Sequence, residues 1–230
     1  MRTLTRIGVS AVAAGAALTL TAGSATAATT TVRRDTATGA AYSGNWRITN
    51  IGNLTFTATV LGINITASCP QVTLTGTVQS AGTGTLNQAT VGACSSSAGS
   101  AQVAFEGLPY TQGQVTYAPV AGGRDGTLSI SDPGLRIKVV MNILGTQTCY
   151  YGFGSTVGSL TFNVYNRDNP NRPVPSVDDA QGSLNNARLD RLTGSSSLCP
   201  TTGTGNGNAT ARGETTAGSG VFDQKLYITG

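Results

Sequence analysis

Few side chains in this sequence could do chemistry, and one absence narrows them at once. No histidine occurs among the 230 residues, so a Ser-His-Asp or Cys-His arrangement and a histidine-ligated zinc or iron centre are excluded by composition. Composition leaves a Ser-Lys dyad or a pair of carboxylates. Lys138 and Lys225 are the two lysines. Each lies on the polar side of an alternating apolar/polar run, where solvation keeps the amine charged and not in the apolar setting that would lower its pKa. A glycosidase-type pair needs two acids flanking one bond. Of the ten acidic residues only Glu106 and Glu214 are glutamates, and Asp178-Asp179 are neighbours in a proline-rich stretch that predicts a solvated loop. The expectation is a protein that is not an enzyme, with no catalytic residue.

Oxygen ligands gather in "NRDNPNRPVPSVDD", 166–179, where Asp168, Asn169, Asn171, Asp178 and Asp179 share one segment. Their spacing is not that of a calcium loop, and prolines stand where ligands are needed. Turn chemistry accounts for them, and neither a metal nor another cofactor is expected.

Two kinds of residue could form a binding surface. "TCYYGFG" places Tyr150, Tyr151 and Phe153 together, either packed over a disulfide or presented as a stacking platform for sugars. Thr55, Thr57 and Thr59, and again Thr73, Thr75 and Thr77, alternate with apolar residues. Such a face can match an ordered surface, but threonine is also simply a good strand former on a solvent face.

Cys69, Cys94, Cys149 and Cys199 are the cysteines. They lack the close pairs of a zinc site, and an even number in an exported chain predicts two disulfides. Of three connectivities, Cys69–Cys94 with Cys149–Cys199 is favoured, because each bond then encloses one strand-turn-strand unit and the two units read alike. "VLGINITASC" leads into Cys69 and "ILGTQTC" into Cys149; "VTLTGTV" with "GTLNQATVGAC" is echoed by "SLTFNVY" with "GSLNNARLDRLTGSSSLC". This order points to an internal duplication, with halves at 54–120 and 126–230.

Export itself is read from the first residues. "MRTLTR" carries two arginines and no acid, an Ala/Leu/Val-rich run follows, and Ala25-Thr26-Ala27 has small residues at both key positions. This is the form of a signal peptide, 1–27, cut after Ala27. The net charge of +4 falls by two when Arg2 and Arg6 leave with it. That surplus is too small and too scattered to argue for nucleic acid. No later segment has the 18 consecutive apolar residues of a membrane span.

The elements that must position these residues are strands. "LRIKVVMNI" puts Leu135, Ile137, Val139, Met141 and Ile143 on one face, with Arg136, Lys138 and Asn142 among those on the other. "LTFTATV", "LTFNV" and "FDQKLYI" alternate in the same way, with "SAGTGT", "GGRDG" and "TGTGNGN" as turns between strands. Period-two patterning over many short segments predicts an all-β, two-layer antiparallel sandwich stapled by two disulfides. "AQGSLNNARLDRL" admits a short helix but is read as a strand by analogy with the first half. The boundaries expected are a flexible arm over 28–40, a single domain over 41–230, and a long surface loop over 166–179.

The order "LTFTATVLGINITASC", "VTLTGTV", "TLNQATVGAC", "VAFEGLPY" resembles secreted, disulfide-containing β-sandwich proteins of actinobacteria. Their Gly-Leu-Pro-aromatic step stands here as Gly107-Leu108-Pro109-Tyr110. More distantly the layout is similar to an exported surface-protein family named for activating alkane oxidation. The resemblance covers about 54–228, with 166–179 as an insertion. It implies an exported β fold, an envelope-associated role and no established catalytic residues. The function expected is therefore a secreted cell-envelope or extracellular protein, structural or adhesive, acting through its β surface, with cell-wall polysaccharide or another envelope protein as partner. The alternative is a carbohydrate-binding module using Tyr150, Tyr151 and Phe153 or the threonine faces.

Overall fold

In the computed structural model the described residues are 29–60, 62–142 and 144–230; the signal peptide expected over 1–27 lies outside them. The alternating runs become fifteen antiparallel strands. They are β1 (Thr31–Arg34), β2 (Gly44–Val60), β3 (Ile63–Cys69), β4 (Val72–Val78), β5 (Thr83–Val91), β6 (Cys94–Ser96), β7 (Gly99–Glu106) and β8 (Tyr110–Tyr117). The second half supplies β9 (Gly126–Ile130), β10 (Arg136–Asn142), β11 (Thr146–Gly152), β12 (Leu160–Tyr165), β13 (Ala180–Arg191), β14 (Thr202–Gly213) and β15 (Gln224–Thr229).

Three long strands, β13, β14 and β2, pair side by side and form one layer. The facing layer is built from three strands that each break once on the way: β5 into β6, β7 into β8, and β9 into β10. The breaks fall at Gly92-Ala93, Gly107-Leu108-Pro109 and Ser131–Leu135, where proline or glycine interrupts a ladder that needs every N–H. Shorter strands join the layers at their sides. β4 and β3 continue the ladder from the two ends of β2, and β12 and β11 from the two ends of β13. The sandwich is therefore one sheet whose hydrogen bonding closes on itself.

The two halves run through matching pairings. Gly84 lies opposite Val78, and Gly182 opposite Val164. Thr85-Leu86-Asn87 and Ser183-Leu184-Asn185 follow from those points. The last long strand of each half crosses to the other half: β14 pairs with β2, while β7 and β8 pair with β10 and β9.

Both disulfides form as the matched units require, Cys69–Cys94 across 25 residues and Cys149–Cys199 across 50. On the loop-entropy model they contribute about 3.5 and about 4 kcal/mol. They fit an extracellular or otherwise oxidising environment. No helix among the described residues is long and apolar enough to cross a membrane.

The core follows the alternation. Cys69, Leu86, Tyr110, Leu135, Ile137 and Cys149 are buried in one cluster, and Val32, Tyr42, Val78, Leu226 and Ile228 in a second. The second cluster corrects the expectation of a flexible arm over 28–40. Residues 31–34 are β1, paired with β15 through Thr31↔Thr229 to Arg34↔Leu226, and Val32 is only 3% exposed. One apolar side chain, inserted against Leu226 and Ile228, turns the arm into a plug over this end of the sandwich.

The 166–179 loop is likewise held in place. Gln181 accepts from the Val174 N–H at 2.9 Å and donates to the Val174 and Val177 carbonyls at 2.7 and 3.0 Å. Asn166 exchanges hydrogen bonds with Ile228 at 3.0 and 2.8 Å.

Candidate functional site

The outer face carries the threonines, and strand register converts columns seen in sequence into rows. Thr57 stands between Thr66 of β3 and Thr204 of β14, and Thr55 between Ser68 and Asn206. Lower on the same strand, Thr49 stands between Thr210 and Thr73, and Thr73 in turn lies opposite Thr90. Strands about 4.8 Å apart set the row spacing, and alternate residues about 7 Å apart set the column spacing. Hydroxyls tie the rows together: Thr57 and Thr66 are 3.1 Å apart, Thr77 and Thr85 2.8 Å, and Thr59 donates to Asn64 at 2.7 Å. Each hydroxyl has one donor and two acceptor sites, so bonding to a neighbour leaves acceptor capacity facing outward. Thr55, Thr57 and Thr59 occupy the upper part of β2, whereas Thr73, Thr75 and Thr77 lie on β4 beside its lower part. The triplets belong to two neighbouring patches. Thr49, Thr66, Thr90, Thr204 and Thr210, which complete the rows, were not legible as partners because each sits on a different strand.

The aromatic cluster does not form a shared platform. Tyr151 points inward, is 6% exposed, and has its hydroxyl pushed up to about 12 by burial. Phe153 packs against the same core. Tyr150 alone points outward, and the Arg136 guanidinium covers its ring at 3.8 Å from the centroid. Alternation along β11 forces this split, since adjacent residues in a strand face opposite sides.

Both lysines are paired with carboxylates. Lys225 meets Asp178 at 2.6 Å and Lys138 meets Glu106 at 3.9 Å. Arg167 and Lys225 hold the Asp178 carboxyl well below the usual carboxylate range. Backbone N–H groups lower Asp132 (chiefly Thr111) and Glu214 (chiefly Gly218), while the Thr156 and Thr215 hydroxyls lower Asp190 and Asp223. Each of these shifts favours the ionised form, the opposite of what a general acid requires. In the 166–179 segment Asp178 faces Arg167, Asp179 faces Arg212 at 2.8 Å, and Asn169 donates to Asp125 at 2.8 Å. Asp168 accepts from the Tyr227 hydroxyl at 3.1 Å, so the carboxylates of the segment turn to separate donors of the protein. No cluster of three or more metal-ligating side chains occurs among the described residues.

The feature that sequence reading missed is inside. Between the layers lie two adjoining cavities of about 120 and 100 Å³. The first is lined from one layer by side chains such as Leu54, Phe56 and Leu184 and from the other by Val103, Val139 and Met141. The second lies toward Trp46, Val78, Val115 and Leu226. Ile48, Leu74, Leu86, Ile130 and Phe162 line both. Apolar space of this kind costs about 24 cal/mol per Å³ when nothing packs into it, so atoms filling the larger cavity would gain roughly 3 kcal/mol.

Comparison with known proteins yields no match to a protein-family model, a curated protein or a solved structure.

Proposed function

We propose that this is an exported, non-catalytic protein of the cell envelope or extracellular space, structural or adhesive, acting through its β surface. The observation that carries the reading is the outer face of β14, β2, β3 and β4, where rows of threonine, serine and asparagine present hydroxyls and amides at regular spacing. Uncharged hydrogen-bonding groups on a rigid sheet suit an ordered polysaccharide surface, or another envelope protein, better than a nucleic acid or an acidic substrate. The self-paired carboxylates and the lack of histidine support the non-catalytic part. The resemblance to secreted actinobacterial proteins points the same way. The carbohydrate-binding module is disfavoured in its aromatic form, since Tyr151 and Phe153 face the core.

The test is a pull-down of protein from a secreting host on purified cell wall, chitin and cellulose. Saturable binding to cell wall is expected, weakened about tenfold or more by the exposed-face substitutions Thr57→Arg and Thr66→Arg, and unchanged in Tyr150→Ala. Binding released by one soluble oligosaccharide and lost in Tyr150→Ala would favour the module instead. Turnover of a hydrolase substrate that vanishes on mutating a single carboxylate would overturn the reading.

A further inference from the structure

We propose that the interior of the sandwich holds the hydrocarbon chain of a single-chain lipid, admitted between the β2–β3 and β10–β11 hairpins. Three observations carry this beyond the surface role.

The lining comes first. Neither cavity has a charged residue in its wall, and the side chains that meet across the first are leucine, phenylalanine, valine and methionine. Polar residues such as Asn50, Ser96 and Asn208 also border the first cavity, but its exposed wall is almost wholly apolar, so a ligand's charged part would pay its desolvation cost and what fits best is hydrocarbon. Met141 adds a flexible, polarisable contact that adapts to a chain of variable shape.

Shape is the second. The two cavities share five lining residues and follow one another along the strands. A narrow apolar path of this kind suits a flexible chain better than a rigid ring system. A buried apolar cavity of about 150 Å³ takes up benzene; the two here, about 120 and 100 Å³, exceed that only together, so a chain that occupies both is what they accept.

The third is the contrast between the ends. One end is closed by β1 and β15, with Val32, Leu226 and Ile228 packed beneath them. At the other, the first cavity reaches Val60, the last residue of β2, and Met141, the last but one of β10. Beyond them Ile63 is 66% exposed and Leu144 80%. Large apolar side chains displayed at both hairpins, over an apolar cavity and opposite a plugged end, mark a point of entry. The head group stays outside, near the exposed Asn64 and Thr146.

The experiment titrates protein with both disulfides formed with the fluorescent linear-chain dye cis-parinaric acid, then competes with palmitic acid and, separately, with hexadecanol. A saturable fluorescence rise at one dye per protein, reversed by both competitors, is expected. Ala58→Phe and Ala187→Phe project into the first cavity from β2 and β13 and should weaken binding about tenfold or more. Ile63→Ser with Leu144→Ser should slow dye entry about tenfold without changing the far-ultraviolet circular dichroism. Displacement by palmitic acid alone would overturn the hydrocarbon-only recognition, because it would require a carboxylate partner. Failure of the unsubstituted protein to bind dye saturably overturns the proposal. So does full affinity in whichever of Ala58→Phe and Ala187→Phe folds; if neither folds, unchanged entry in the Ile63→Ser/Leu144→Ser protein overturns it. Binding to cell wall is measured on the same samples and stands or falls separately.

Discussion

The Arg136 guanidinium lies 3.8 Å from the centroid of the Tyr150 ring and at the same time 3.2 Å from a Glu106 carboxylate oxygen. Three outward-facing side chains from β7, β10 and β11 are thus joined at one cation. Both contacts are partly solvated, so their combined worth is small. Arg136→Ala is expected to lower stability by about 1 to 2 kcal/mol, and Tyr150→Ala by about 1 kcal/mol. Urea unfolding of the two variants and of the double variant measures the coupling: the double variant's loss should fall below the sum of the single losses, and the difference is the coupling.

Trp46 packs where Gly76 leaves room. A methyl group at position 76 would lie 1.8 Å from the Thr85 carbonyl oxygen and 2.6 Å from Trp46 Cζ2. The backbone on one side cannot retreat without breaking the β4–β5 ladder. Gly76→Ala should therefore cost about 3 kcal/mol as an overpacked site. The check is the midpoint of guanidinium unfolding, followed through the fluorescence of Trp46, the one tryptophan in the chain.

Glu214 ties the turn before β15 to β2. It is 3% exposed, accepts the Gly218 and Gly220 N–H groups at 2.8 Å each, and accepts the Asn45 amide at 3.0 Å. Its pKa is lowered, chiefly by the Gly218 N–H. A depressed carboxyl contributes stability above its unfolded value, near 4.3, and loses it as the pH falls through the folded value. The stability gap between the unsubstituted protein and Glu214→Gln should be open at neutral pH and close on acidification below about 4. Urea midpoints across that range would show it.

β1 should behave as part of the fold under proteolysis. Val32 N–H donates to the Ser80 carbonyl at 2.7 Å and its own carbonyl accepts from Tyr42 at 2.8 Å. Val32→Asp, which buries an unpaired carboxylate beside Leu226 and Ile228, is expected to cost about 3 kcal/mol or more. It should also convert the 28–40 segment into the first site cut by trypsin, at Arg33 or Arg34. Early cleavage there in the unsubstituted protein would contradict the plug.

Much of this architecture was legible because alternation is a local signal. Leu135 and Ile137 read as inward and are buried; "GSLNNARLDRL", matched only by analogy to "GTLNQATV", is strand β13. β1 was not legible. Four residues with two arginines and one buried valine show no period, and their partner β15 lies nearly two hundred positions away. The split of Tyr150 from Tyr151 followed from strand geometry once "TCYYG" was placed in a strand, yet sequence could not say which tyrosine faced the core. The cavities were hidden for a deeper reason. Alternation tells which side chains point inward, but only the separation of the layers decides whether Phe56, Val139 and Met141 meet or leave space between them.

Closure of the ladder has a consequence for assembly. Among the described residues every strand from β2 to β15 is hydrogen-bonded on both sides. β1, with one full partner, is shielded by the Arg33–Ala41 bridge and by the Val32–Ser80 bond. Unpaired strand edges are what let β proteins template one another into fibres, and here they are short, such as the start of β3, whose second side is paired only at Ala67 and Ser68. A threonine-rich chain of this kind can be concentrated on a surface with little backbone edge through which to polymerise. Contacts between its copies would be made chiefly by side chains, and would come apart without unfolding a strand.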